Sequence, residues 1–382
     1  MSRLRVAIFT GNYVHIKDGV SLTLNRLVRH LENSGVDVLV FGPGTKERAI
    51  EPAGRFIEVP SVPPPGRPEY RVSMFLPEVH RLDLEDFKPD VIHIATPDIL
   101  GLIALKYARK HHIPVLSSYH THFPSYLKYY GFGFLESLLW KYLLWFYDNC
   151  EKVVTPSESM NEFLIKKGIS RSKIGLWTRG IESDLFTPEN RDEAFRAELG
   201  FTKDDVVVSF ISRLVWEKNL ETFMKATNIA RKKNPNIKVM VGGDGPIMDD
   251  LKAGMPDAVF TGYQFGKDLA KVYAATDIFF FPSESETFGN VTLEAMSSGV
   301  PALVADAMGS KSLVIDGETG YILPPQDAEA FAAKILELAE DEGKRSGMAA
   351  KARKHALTYD WQAIMDGLIE DYRKVVDYNR YN

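Results

Sequence analysis

Residues Phe281 to Pro301 read FPSESETFGNVTLEAMSSGVP. This stretch decides the fold. It opens at the end of an apolar run, Asp277-Ile278-Phe279-Phe280-Phe281, of the length and β-rich composition of a buried strand. Pro, Ser and Gly give a loop, and from about Asn290 the spacing of Val291, Leu293, Ala295 and Met296 predicts a helix. Gly299-Val300-Pro301 stops it and leads into another apolar run. Strand, loop, helix and strand make one unit of a parallel α/β sheet.

Two carboxylates belong to this unit, Glu286 in the loop and Glu294 in the helix, with seven residues between them. Eight helical steps separate them by roughly 12 Å along an axis. Two carboxyls flanking one glycosidic bond in a retaining hydrolase need about 5 Å. The spacing suits two carboxylates holding different parts of one long ligand. Between them, Phe288-Gly289-Asn290-Val291 place free backbone N–H groups at a helix N-terminus, where a phosphate is favoured.

The rest of the chain repeats this grammar. Its 382 residues, 45% hydrophobic and 25% charged, suffice for two globular domains. The single cysteine, Cys150, rules out an internal disulfide or cysteine-rich metal site and fits a cytoplasmic setting. The apolar run near Arg5 is too short for a signal peptide and reads as a first strand, and no stretch of about 18 apolar residues exists to span a membrane. Net charge is −5, yet residues 1–180 hold 23 Lys and Arg against 18 Asp and Glu, and eight of the nine histidines. Either the first half faces an anionic surface or acceptor, or the tally is evenly solvated charge.

Arg5 to Thr10 predicts a strand, residues 21–34 a helix with an apolar stripe, and Val36 to Phe41 the next strand. No G-x-G-x-x-G lies between them, so a dinucleotide-dependent oxidoreductase is not indicated. Asp18-Gly19 sits at the helix mouth, where glycine permits close approach of a ligand or simply makes a turn. Residues 60–68, PSVPPPGRP, are a loop. Val91 to Ala95 and Val115 to Tyr119 are strands, the second ending in Tyr119-His120-Thr121-His122, where open α/β sheets bind ligands. His120 there is a substrate-contacting group or a structural histidine, and no third ligand completes a metal site. The aromatic-rich segment Tyr126 to Phe146, with Lys128 and Lys141, is either a buried helix or a surface that meets lipid.

Strands at Val153–Pro156 and Lys173–Thr178 lead to a hinge, placed at residues 185/186, and a charged helix over 190–200. The pattern restarts at Val206 to Ser212, with a helix over 220–233, strands at 238–241 and 259–261, and the loop Gly242-Gly243-Asp244-Gly245-Pro246. Twice βαβαβ predicts two similar α/β halves facing across a cleft. An amphipathic helix after Tyr359 is expected to return to the first domain, so that the domains are 1–185 with 360–382, and 186–359.

Arg213-x4-Lys218, Gly243-Asp244-Gly245-Pro246 and Glu286-x7-Glu294 followed by Ala295-Met296 together resemble the retaining, nucleotide-sugar-dependent glycosyltransferases of family 4. The likeness spans nearly the whole chain. Tyr119-His120-Thr121-His122 and Asp18-Gly19-Val20 are most similar to the branch of sulfoquinovosyldiacylglycerol synthases and lipid mannosyltransferases. The first loop keeps only Gly19 of the double glycine common in that family.

The resemblance implies the GT-B fold, two Rossmann-like domains, and a UDP- or GDP-sugar as donor. Glu294 would hold the ribose hydroxyls, Glu286 the transferred sugar, and the amides of Gly289, Asn290 and Val291 the sugar and phosphate. Phe288, Gly243 and Gly19 would complete the donor site. His120 would contact the donor sugar at the reacting centre. Arg213 and Lys218 would supply fixed positive charge to the leaving diphosphate, with no metal and no other cofactor. Chemistry without a protein nucleophile follows, the acceptor attacking on the leaving-group face.

The expected activity is transfer of a hexose to a lipid or lipid-linked acceptor by a cytoplasmic enzyme at the inner face of the membrane, with no nucleic acid involved. Transfer to a soluble glycan or small molecule, a nucleotide-sugar epimerase, a phosphorylase and a non-catalytic nucleotide-sugar-binding protein are the rivals.

Overall fold

The structure, a computed structural model, describes residues 3–64, 69–120 and 133–381. His122, Pro65–Pro68 and the first part of the aromatic segment, Tyr126–Phe132, lie outside the described residues. The chain forms two compact units, Met1–Thr178 with Gln362–Asn382, and Arg179–Trp361. The sequence reading divides them at 185/186 and 359/360. The segment after Arg179 goes with the second unit because it is bonded there. Ile181 donates its N–H to the Tyr359 carbonyl at 2.9 Å. Arg353 donates to the Ser183 and Phe186 carbonyls, and the Phe186 ring meets Tyr273 edge-on at 5.7 Å.

The first unit holds a seven-stranded parallel sheet, β1 (Arg5–Phe9), β2 (Asp37–Pro43), β3 (Arg55–Val59), β4 (Val91–Ile94), β5 (Val115–Ser118), β6 (Lys152–Thr155) and β7 (Ile174–Leu176), in the order β3-β2-β1-β4-β5-β6-β7. The second holds β8 (Val206–Ile211), β9 (Ile237–Gly242), β10 (Val259–Gly262), β11 (Ile278–Phe281), β12 (Ala302–Ala305) and β13 (Gly320–Leu323), in the order β10-β9-β8-β11-β12-β13. Each is the doubly wound, Rossmann-like order, which reverses beside the first strand of the unit. The place that such sheets give to ligands is beyond the strand ends at that reversal, here past β8 and β11 in the second unit.

Strand composition follows from burial on both faces. All six residues of β8, VVVSFI, are buried, and its one polar member, Ser209, accepts a hydrogen bond from Thr276 at 3.0 Å. The phenylalanines of β11 alternate: Phe279 and Phe281 stack at 5.8 Å on one face, and Phe280 stacks on Phe331 at 4.6 Å on the other.

The C-terminal helix Trp361–Tyr381 belongs to the first unit over all but its first residue, as its amphipathic pattern predicts. Met365, Leu368, Ile369, Tyr372, Val375 and Val376 form its buried stripe. Each buried aliphatic side chain contributes roughly 1.5–3 kcal/mol, enough together to hold the helix down. Polar ties fix its register: Lys152 donates to Asp371 at 2.7 Å, and His30 pairs with Asp366 at 2.7 Å.

Two expectations change. The charged helix over 190–200 shortens to Glu193–Glu198, preceded by a 3-10 turn at Pro188–Asn190. Asp192 caps it by accepting from Ala194 and Phe195, and Gly200 at φ +84 ends it. The described part of the aromatic segment is buried on one face only. In the helix Glu136–Asp148, Trp140, Leu143, Phe146 and Tyr147 are buried, whereas Leu138 and Trp145 are exposed, as are Phe134 and Leu135 before it.

Candidate active site

Past β8 the backbone turns through Ser212 and Arg213, and it is held there by the glycine loop that follows β9. Leu214 donates its N–H to the Asp244 carbonyl at 2.9 Å. Gly243 adopts φ +119, and a Cβ on it would lie 1.9 Å from the Ser212 carbonyl oxygen. No residue but glycine fits such a contact at such a φ. The loop thereby sets the height at which Arg213 leaves the sheet.

Arg213 is exposed, and its side chain makes no hydrogen bond or ion pair with the described residues. It lines a pocket of about 250 Å³ beyond the strand ends, together with Gly243, Thr261, Tyr273, Val291 and Glu294. An unpartnered guanidinium over a pocket is a ready site for a phosphate, which it can meet with two parallel hydrogen bonds.

Lys218 ends the 3-10 turn Trp216–Lys218 and differs from Arg213 in every respect. Its side chain is nearly buried and forms an ion pair with Glu286, with Ser285 3.5 Å from the ammonium. The next residue, Asn219, takes a left-handed conformation at φ 57 and donates to the Pro282 carbonyl at 3.4 Å, which ties the turn to the loop after β11. The family resemblance assigns Lys218 to the phosphate and Glu286 to the sugar as separate contacts. The structure couples them: the cation fixes the carboxylate.

The helix Asn290–Ser297 is capped by Gly289 at φ +100 with no side-chain capping bond. A Cβ at Gly289 would lie 2.3 Å from the Ser310 hydroxyl oxygen. The N–H groups of Asn290 and Val291 are unused among the described residues, which leaves the positive end of the helix open. Phe288 is turned the other way. Its ring is buried in the core and meets Tyr359 at 6.1 Å, so only its backbone remains for a ligand.

Glu294 lies one turn into that helix, at the pocket wall. Desolvation pushes its carboxyl up to about 7, and the Tyr273 hydroxyl, donating at 2.8 Å, works in the opposite direction. Tyr273, Thr261, Tyr263 and Gln264 line the same pocket, and sequence reading did not single them out. The helix that carries Tyr273, Gly266–Ala274, was not read from the sequence either.

The second unit thus brings together Arg213, Lys218, Gly243, Glu286, Gly289, Asn290, Val291 and Glu294 around its strand ends. Gly19 and His120 belong to the first unit. Gly19 opens the helix Gly19–Asn33, and Asp18 is the N-cap of that helix. Asp18 accepts from the Ser21 N–H at 2.8 Å while its own N–H donates to the Ser21 hydroxyl at 3.0 Å. The aspartate that replaces the family's first glycine therefore has a structural use, a reciprocal capping box. His120 lies just past β5, buried, with its Nε2 2.8 Å from the Ser118 hydroxyl.

A family model described as "Glycosyl transferases group 1" matches residues 191–355, and one described as "Glycosyltransferase Family 4" matches residues 17–185. The GDP-mannose-dependent alpha-mannosyltransferase of Mycolicibacterium smegmatis is 33% identical over 380 residues, covering 98% of this chain and 98% of that protein. The chain is a family-4 glycosyltransferase. Sulfoquinovosyl transferase SQD2 of Arabidopsis thaliana is 32% identical, over 94% of this chain and 71% of that protein. Alpha-monoglucosyldiacylglycerol synthase of Streptococcus pneumoniae is 30% identical, over 90% of this chain and 84% of that protein.

Among solved structures, sucrose-phosphate synthase from Thermosynechococcus elongatus aligns with a TM-score of 0.78 at 20% identity, covering 98% of this chain and all of that one. Anabaena Alr3699/HepE, solved in complex with UDP, aligns with a TM-score of 0.76 at 19% identity, over 97% and 100%. These likenesses and the two Rossmann-like sheets give this glycosyltransferase the GT-B fold.

Proposed function

We propose that this glycosyltransferase is a retaining, metal-independent hexosyltransferase that moves a hexose from a UDP- or GDP-sugar to a lipid or lipid-linked acceptor at the inner face of a membrane. The observation that carries the reading is the unpartnered Arg213 over the pocket past β8, with the open helix N-terminus at Asn290 and the Glu294 carboxylate on the same pocket. Cation, amides and carboxylate are the complement of a nucleoside diphosphate. The first two meet the phosphates and the third meets the ribose diol.

Bond breaking places negative charge on the departing phosphate. Arg213 and Lys218 carry fixed charges whose attraction for that phosphate grows as its charge grows, which is the part a divalent metal plays in other enzymes. His120 and Glu286 contact the transferred sugar. The departing phosphate takes the acceptor proton, the acceptor attacks on the same face, and retention follows.

The lipid acceptor is supported by what a similar protein is named for, the alpha-monoglucosyldiacylglycerol synthase. The exposed apolar side chains of Phe134, Leu138 and Trp145 support contact with a bilayer. No helix among the described residues is long and apolar enough to cross a membrane.

The test is thermal shift with UDP, GDP and their sugars on wild type and Arg213→Ala, followed by incubation of the stabilising donor, radiolabelled, with total lipid extract. A ligand that binds only the native state raises its melting temperature. The expected result is a shift with one nucleotide class that Arg213→Ala loses, and label in the lipid phase. Label in no acceptor would favour a binding protein, and label in water-soluble glycan alone would replace the acceptor class.

A further inference from the structure

His93 is the only polar residue of β4, Val-Ile-His-Ile, and it is fully buried. A polar group placed there requires partners. The register supplies them. His93 pairs with Leu116 of β5, so Ser118, two residues on, projects from the same face. Ser118 pairs with Val154 of β6, and Val154 with Gly175 of β7, which brings Trp177 to that face as well. The helix Trp361–Tyr381 covers it with Tyr372.

The result is a chain of three hydrogen bonds through the first unit. Tyr372 Oη lies 2.6 Å from His93 Nδ1. His93 Nε2 lies 2.8 Å from Ser118 Oγ, and Ser118 Oγ lies 2.8 Å from His120 Nε2. Trp177 presses on both imidazoles, with ring centroids 5.6 Å from His93 and 5.1 Å from His120.

The chain has a direction. Full burial pushes the His93 imidazole down to about 3, so His93 is neutral and has one N–H to give. Burial likewise keeps the Tyr372 phenol protonated. Among the described residues the Tyr372 hydroxyl has no acceptor other than His93. If the hydrogens ran from His120 toward Tyr372, the phenolic hydrogen would be stranded in the core, at a cost of roughly 1–3 kcal/mol. Running outward, the hydrogens of Tyr372, His93 and Ser118 each have an acceptor. Tyr372 donates to His93 Nδ1, His93 Nε2–H donates to Ser118, and Ser118 donates to His120 Nε2.

We propose that Tyr372, His93 and Ser118 are positioning residues that hold His120 as the Nδ1–H tautomer, so that His120 works as a hydrogen-bond donor and not as a base. The C-terminal helix thereby has a part in the chemistry besides closing the first unit. The inference rests on the reading of His120 as a residue at the reacting centre only where it concerns turnover. The tautomer itself is independent of any substrate.

The experiment is ¹⁵N NMR of histidine-labelled protein, with His120 assigned by His120→Gln, on wild type, Tyr372→Phe, Ser118→Ala and Ser118→Thr, alongside steady-state kinetics with whichever nucleotide-sugar turns over. Wild type is expected to show His120 protonated at Nδ1 and bare at Nε2. Tyr372→Phe and Ser118→Ala are expected to give a mixed tautomer and kcat lower by about fivefold to tenfold with donor KM within twofold, the loss of one hydrogen bond's orientation. Ser118→Thr, which keeps the hydroxyl, is expected to restore both signals.

A wild-type His120 protonated at Nε2 would overturn the proposal, and that measurement needs no variant to fold. An unchanged tautomer in Tyr372→Phe, or equal losses in Ser118→Ala and Ser118→Thr, would also overturn it, since either means packing alone. A shifted tautomer with unchanged kcat would leave the relay standing and remove His120 from the reacting centre.

Discussion

Tyr273 donates its phenolic hydroxyl to Glu294 across 2.8 Å at the wall of the pocket. The carboxylate assigned to the ribose is thus already held by one donor, in a site that desolvation makes costly for its charge. Its pKa is raised from 4.5 to about 7. Two hydroxyls of a ribose are further donors, which favour the ionised form.

Donor binding is therefore expected to tighten as pH rises from 6 to 8 and to release a fraction of a proton near neutrality. Calorimetry in buffers of different ionisation enthalpy measures this. The linked effect on stability has the opposite sign. The folded state holds the proton more tightly than the unfolded chain, so this contribution is complete below about 4.5 and is lost as pH rises through about 7. Glu294→Gln is expected to abolish both dependences. Tyr273→Phe is expected to move the binding profile to higher pH and to weaken donor binding about fivefold, the worth of one hydrogen bond of about 1 kcal/mol.

Arg213 and Lys218 are predicted to separate on stability. Arg213→Ala removes an exposed side chain that has no partner among the described residues, so its melting temperature without ligand stays within a degree or two of wild type. Its donor affinity falls roughly tenfold to a hundredfold, the worth of a charge-assisted hydrogen bond. Lys218→Ala leaves Glu286 without its cation and is expected to lower the melting temperature and kcat together. Equal melting temperatures in the two variants would contradict the pairing.

Gly243→Ala tests the loop that sets Arg213. The new methyl would fall 1.9 Å from the Ser212 carbonyl oxygen at a φ of +119, and backbone must move to admit it. A loss of about 3 kcal/mol or more in urea unfolding is expected, with donor affinity reduced in the fraction that stays folded. A stability change under 1 kcal/mol would mean that the loop yields freely and does not fix Arg213.

The helix Glu136–Asp148 gives a prediction with two arms. Leu138→Asp with Trp145→Ser changes exposed positions and is expected to reduce flotation with anionic vesicles while leaving the melting temperature nearly unchanged. Leu143→Ala empties a buried position and is expected to cost about 2–5 kcal/mol of stability without changing flotation per folded molecule. Wild-type protein that stays unbound by anionic vesicles would remove the membrane contact.

Most strands of both sheets were legible because burial on two faces demands unbroken apolar runs, as in VVVSFI and IFFF. Arg55–Val59, Glu78–Phe87, Gly320–Leu323 and the helices Ala328–Glu340 and Glu342–Ala356 were passed over. Strand Arg55–Val59 is at the sheet edge and less completely buried, so its sequence, RFIEV, has no such run. In Glu342–Ala356 the buried face is only Met348, Ala352 and Ala356, too small a stripe to read.

What the sequence determined by itself is what depends on short range: strand composition, glycines at forced backbone angles, the helix that begins at Asn290, and the ordered set Arg213, Lys218, Glu286 and Glu294. Only the tertiary structure decided how those side chains are spent. That Lys218 is bound to Glu286 while Arg213 stands open, that Tyr273 restrains Glu294, and that Tyr372 reaches His93 from 279 positions away all follow from strand register and burial. A partner's identity is fixed by which faces the sheet order brings together, and no local spacing encodes that.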